Sequence, residues 1–209
     1  MKKFLRDNGL SLTLGTMFLM FWAAQAVCGW KVYNEDQVLH HTHVSGFGKY
    51  LSSGHFWQAT GENWESEFLQ MGFYVVLTSF LYQRGSAESK DPDHPEEESS
   101  PSPPQPEKKR GFLYRNSLSL AFLGLFVLSF TLHAIGALKE SNQERAEHGL
   151  LSQTLREYVG SPELWFQSFQ NWQSEFLAVL SIVLLSIFLR QQGSPESKSI
   201  NDPNSKTGK

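Results

Sequence analysis

At 209 residues, with a net charge of −3 and a pI near 6.2, the chain has room for one or two domains and lacks the basic excess of a nucleic-acid binder. Its single cysteine, Cys28, excludes an internal disulfide and any multi-cysteine metal centre. A mean hydropathy of −0.32 averages apolar runs, around which six Trp and sixteen Phe gather, with very polar segments.

Lys2, Lys3 and Arg6 precede residues 10–30, a run of about 21 residues with no formal charge. That is the length a helix needs to cross ~30 Å of hydrocarbon, and Asn8 is suited to cap it. The same segment, ending in Ala24-Gln25-Ala26, also has the form of a secretory signal with a small-x-small cleavage site. Next comes His40-His41-Thr42-His43, with His55 nearby. These imidazoles are candidate ligands for Zn²⁺ or Cu²⁺, although no carboxylate or Cys completes a recognised spacing and a solvated loop is the plainer reading.

The second apolar run, 68–82, covers only ~22 Å as a helix, so the helix must recruit residues on its N-terminal side. Trp57 and Trp64, at i and i+7, are expected there as interfacial anchors. The helix should end near Gln83, with Gly85 as a left-handed closing residue. Residues 91–110 contain proline, glutamate and serine without an apolar side chain, a composition that predicts a disordered cytoplasmic tether. Pro101 and Pro104 have the spacing of a docking motif, though a plain linker accounts for them. Residues 118–138 form a third run without formal charge, with Asn116 as its cap. Ser161-Pro162-Glu163 is a strong helix start, with an N-cap, Pro at the first position and an acid in the first turn. It leads through Trp165 and Trp172, expected on one face as interfacial anchors at i and i+7, into the fourth run, 176–189, ending near Arg190. Gly193 and a polar tail follow.

The chain also says the same thing twice. Residues 4–90 align without a gap on 112–198, and about 30 of roughly 87 positions are identical. The longest shared block is Asn-Trp-x-Ser-Glu-Phe-Leu, from Asn63 and again from Asn171; Gly-Ser-x-Glu-Ser-Lys closes each copy at Lys90 and Lys198. The run matching the signal-like segment is internal in the second copy, which argues against cleavage. About 13 Lys and Arg flank the runs on one side and about 5 on the other. The expectation is therefore an all-α membrane protein with four transmembrane helices, arranged as two parallel tandem two-helix repeats. Its parts are a first repeat (1–90), a linker (91–111), a second repeat (112–198) and a tail (199–209). Both termini are expected in the cytoplasm.

Glu67 and Glu175 occupy matching positions about one turn inside the expected outer boundary, where an ionisable side chain needs a partner or a function. Asn63, Asn171, Gln25 and His133 are expected near them as an intramembrane polar cluster. Two readings stand side by side. One is a proton or cation relay through the glutamates; the other is interhelical hydrogen bonding worth ~1 kcal/mol per bond. No catalytic motif appears, so the chain reads as a non-enzyme without a cofactor. Its expected partners are the bilayer, a second copy or other membrane proteins, and no nucleic acid.

Phe4-Leu5-Arg6-Asp7-Asn8-Gly9-Leu10-Ser11-Leu12, Gly29-Trp30-Lys31-Val32-Tyr33-Asn34-Glu35, Ser53-Gly54-His55-Phe56 and Asn63-Trp64-Glu65-Ser66-Glu67-Phe68-Leu69-Gln70-Met71 resemble an uncharacterised family of small bacterial membrane proteins, a domain of unknown function. The resemblance covers nearly all of both copies. It implies a bacterial inner-membrane location and no particular activity. In the second copy Gly9, Trp30 and Tyr33 become Ser117, Leu138 and Ser141, so a site built on the first-copy residues would survive there only as scaffold.

Overall fold

The computed structural model describes residues 2–40, 42–94 and 111–208, and every regular element among them is a helix. In order these are α1 (Lys2–Asp7), α2 (Gly9–Leu39), α3 (Phe47–Tyr50), α4 (Gly54–Leu77), α5 (Phe112–Arg115), α6 (Ser117–Glu147), α7 (Leu155–Val159) and α8 (Pro162–Phe188). Helices α2, α6 and α8 are long and apolar enough to cross a membrane. Their apolar side chains are largely exposed: Leu14 by 57%, Phe21 by 59% and Leu177 by 61%. Continuous apolar surface on this scale is foreign to a monomeric soluble domain and compatible with lipid. Of the expected linker, 95–110 lies outside the described residues, as does His41.

Several local expectations need correction. Helix α4 stops at Leu77 rather than near Gln83. The Thr78 hydroxyl bonds back to the Tyr74 carbonyl and the Ser79 hydroxyl to that of Val76, while Ser79 N and Phe80 N tighten to i−3 carbonyls. Such bonds satisfy terminal carbonyls and close the helix. Asn8 and Asn116 do not cap the helices they precede. Each amide donates backwards, to the Phe4 and Phe112 carbonyls at 2.9 Å, and so ends the short helix before it. Ser161 and Pro162 do start α8, but the Ser161 hydroxyl makes no cap bond.

The chain forms two compact units. The first is Met1–Gly61 with Leu132–Gly160. Its core is aromatic, with Ala26, Tyr33, Tyr50 and Phe56 buried and Trp22, Trp30, Leu51 and Trp57 packed around them. Gly29 on α2 leaves room for the Tyr50 hydroxyl. The start of α4 meets α6 backbone to backbone: a Cβ at Gly61 would collide with the main chain of His133, and one at Gly136 with that of Gln58. Small residues allow this close approach. The loop after α2 is held by Asn34, whose amide donates to the Ser45 carbonyl at 3.0 Å and whose oxygen accepts from Ser45 N at 2.7 Å. Asn142 and Gln153, 108 residues later, make the same pair of bonds at 3.0 and 2.6 Å.

The second unit is Glu62–Thr131 with Ser161–Lys209. Here each Gly-Ser-x-Glu-Ser-Lys block folds into the same turn. Gly85 and Gly193 take left-handed φ values of 84° and 81°. The hydroxyls of Ser89 and Ser197 accept from Gln83 N and Gln191 N, both at 2.8 Å. These glycines shape a turn well past the helices instead of closing their last turn. The residues read as a polar tail are folded in. Lys198 is buried and its ammonium donates to the carbonyls of Gly85, Lys206, Asn204 and Ile187 at 2.6–3.3 Å. Gly85 N donates to Thr207 Oγ1, and Gly208 N to the Ser86 carbonyl, both at 2.9 Å. The stretch from Asn204 to Gly208 is thus clasped to the turn after α4.

The glycine contact predicts that Gly136→Leu lowers thermal stability in detergent by about 1–3 kcal/mol, as overpacking does. Gly124→Leu, on the same helix with nothing among the described residues within 4 Å, should change it little.

Candidate functional site

In the second unit, one face of α4 carries carboxylates toward α8. The Glu65 side chain is completely buried, and its Oε1 accepts from the Ser168 hydroxyl at 2.7 Å and the Trp172 indole N–H at 3.3 Å. One turn earlier, Glu62 accepts from the Asn171 amide. Further along, the Gln70 amide donates to the Glu175 carbonyl at 3.1 Å, and the Glu67 and Glu175 carboxyls are close enough to interact electrostatically. The partners advance together along both helices, so α4 and α8 run parallel here. Trp165 and Trp172 do share a face, with ring centroids 6.4 Å apart. They join an aromatic cluster with Phe126, Phe130 and Phe169, and the Trp172 N–H is committed to Glu65.

The first unit holds a second polar assembly at the C-terminal ends of α2 and α6, beyond the apolar run 118–138. A cavity of about 280 Å³ is lined by Asp36, His40, Glu140, Glu144, Glu147 and His148, among others. Glu140 is pushed up from 4.5 to about 7, first by burial, then by the neighbouring Glu144, with Asp36 and Glu147 adding to it; a bond from the His55 backbone opposes the shift. Its Oε2 is buried and has no hydrogen-bond partner among the described residues. The Tyr50 hydroxyl lies 3.2 Å from His55 Nδ1. Burial lowers the His55 pKa, with Asp36 opposing, and burial and then Glu140 raise that of Tyr50. An acid poised near neutrality on this network is suited to exchanging a proton with solvent.

The six residues expected to cluster fall into both units. Gln25 reaches Thr60 Oγ1 at 3.5 Å and His133 is fully buried, both within the first unit. Asn63, Glu67, Asn171 and Glu175 belong to the second. There Glu67 and Glu175 do meet, Asn171 turns to Glu62, and the Asn63 carbonyl accepts from Ser66. Trp57 packs on Phe56 in the first unit, and Trp64 lies in the second. His40 faces Asp36 at 3.5 Å. Among the described residues no group of three His, Cys, Asp or Glu converges as metal ligands.

The carboxylates that sequence reasoning missed are Glu62, Glu65 and Glu140. At the positions matching Glu62 and Glu65 the second copy has Gln170 and Gln173. An acid in one copy facing an amide in the other was the available signal, whereas attention to shared residues selected Glu67 and Glu175.

The family model described as Domain of unknown function (DUF6766) matches residues 1–209. The chain belongs to this family. Comparison with curated proteins and with solved structures finds no match to either.

Two outcomes follow from the geometry. Glu65→Gln keeps an acceptor for Ser168 and Trp172 and should leave stability nearly unchanged. Glu65→Leu strands both donors and should cost about 1–3 kcal/mol in detergent unfolding. Glu140 binds its proton more tightly folded, at about 7, than unfolded, at 4.5. Its contribution is therefore neutral below pH 4.5, falls as pH rises through that window, and is fully unfavourable above 7. Melting temperatures should show that slope in the parent and lose it in Glu140→Gln, which should be the more stable protein at pH 8.

Proposed function

We propose that this DUF6766 member is a multi-pass protein of the bacterial inner membrane that acts by structure or interaction and not by catalysis. Its four spans run through α2, α4, α6 and α8 as two parallel tandem two-helix repeats, with both termini in the cytoplasm. The hydrogen bonds of Asn34 with Ser45 and of Asn142 with Gln153, together with the paired turns at Gly85 and Gly193, support the repeat. The Lys/Arg bias supports the orientation.

One observation carries the role. Glu65 is locked between Ser168 and Trp172, and Glu62 is held by Asn171. Polar groups with fixed partners on a neighbouring helix act as interhelical glue. The halves of the spans away from these acids carry few polar groups: Thr13, Thr16, Thr78, Ser79 and Ser186 among long apolar stretches. Several of these hydroxyls bond back to their own helix. A hydrated path has little to line it.

The close approach of the Glu67 and Glu175 carboxyls favours one second reading, a proton or cation relay in a small transporter or channel component. Proteoliposomes decide between the two. The structural role predicts proton and cation flux no greater than through empty liposomes. Flux in the parent that Glu67→Gln or Glu175→Gln abolishes would establish the relay instead.

A further inference from the structure

Within the second unit, α4 and the start of α6 leave an apolar groove of about 310 Å³. One wall comprises Phe68, Gly72 and Val76, and the other runs from Phe126 through Leu120 to Asn116 and Phe112. Gly72 makes the space: a side chain there would meet Phe122 at its first carbon, 3.3 Å away. From Phe126 to Phe112 the groove is on the order of 20 Å long at helical rise. That exceeds half of the ~30 Å hydrocarbon, so it has the depth of one leaflet. Its lining is almost wholly apolar, which suits a chain of methylenes and leaves little to orient a polar ligand.

The charge at one end identifies the occupant further. Arg115 adjoins the groove-lining residue Asn116. Arg84 is paired with Asp93, Lys206 with Asp202, and Arg190 and Lys198 are taken up by backbone carbonyls. Arg115 is exposed and makes no ion pair among the described residues. The positions 108 residues away from these two determinants differ: Leu180 matches Gly72, and Asp7, bound by Arg6 at 3.0 Å, matches Arg115. Among the described residues the space and the cation therefore occur together once.

We propose that this groove holds one acyl chain of an anionic phospholipid of the inner leaflet, with the phosphate headgroup at Arg115. The inference rests on the membrane reading above. The residues act by shape at Gly72 and by charge at Arg115, and the site takes one lipid per chain.

Native mass spectrometry of the detergent-solubilised full chain, titrated with palmitoyl-oleoyl phosphatidylglycerol or the matching phosphatidylcholine, tests it. One phosphatidylglycerol should be retained per chain, in preference to phosphatidylcholine by about fivefold, the size expected of one cation at a lipid surface. Arg115→Gln should erase the preference but keep an acyl-chain site. Gly72→Leu should abolish retention of both lipids, and Ser119→Leu, on the opposite wall, should do the same if Gly72→Leu fails to fold. Equal retention of the two lipids by the parent, or undiminished phosphatidylglycerol in the filled-groove variants, overturns the proposal. So does a fill that converts a dimer to a monomer without losing lipid, since the occupant is then a second copy. Alkaline carbonate extraction separates the premises: a chain washed from the membrane defeats the membrane reading as well, whereas a chain that stays but shows no lipid preference defeats the lipid site alone.

Discussion

The contact between main chains at Gly61 and Gly136 is the constraint on which the first unit depends. A side chain at either position would drive α4 away from α6 by several tenths of an ångström or more. Apolar helices in an apolar solvent gain little from hydrophobic association, so dispersion at close range and interhelical hydrogen bonds must hold them. The same approach brings Thr60 within reach of Trp22 and Gln25 at 3.5 Å. The tyrosine and histidine network around Tyr50 follows from that packing, because Phe56 enters the core from the first turn of α4.

The second unit uses polar contacts where the first uses glycine. Between α4 and α8 the partners are Glu62 with Asn171, Glu65 with Ser168 and Trp172, and Gln70 with the Glu175 carbonyl. A buried carboxylate left alone is costly, but one that accepts two directed bonds fixes the rotation of both helices about their axes. Glu62 and Glu65 on α4 accept from donors on α8, whereas Gln70 on α4 donates the other way. At the positions 108 residues on, Gln170 and Gln173 stand in place of Glu62 and Glu65, so at these two positions the acid occurs on α4 alone.

Local features were legible in the sequence where one residue type has one conformational consequence. Ser161-Pro162-Glu163 starts α8 at Pro162, and glycine takes positive φ at 85 and 193. Features set by distant partners were not legible. Glu65 looks like any helical glutamate until Ser168 and Trp172, more than 100 residues on, are brought to it. Asn8 and Asn116 have the chemistry of N-caps, yet a short preceding helix offered each a carbonyl first. Glu140 belonged to a polar extension that periodicity could not distinguish from solvent-exposed helix.

The carbonyl cage around Lys198 has a consequence for biogenesis. Its ligands include Gly85 at one end and Asn204 and Lys206 at the other, so loop closure spans more than a hundred residues. Synthesis from the N-terminus delivers Gly85 long before Lys198 and the residues that follow it. During translation the turn after α4 must wait with its carbonyl and amide open, and the second unit can reach its final form only once residue 208 has left the ribosome. A chain lacking residues 204–208 would therefore leave the turn after α4 unclosed.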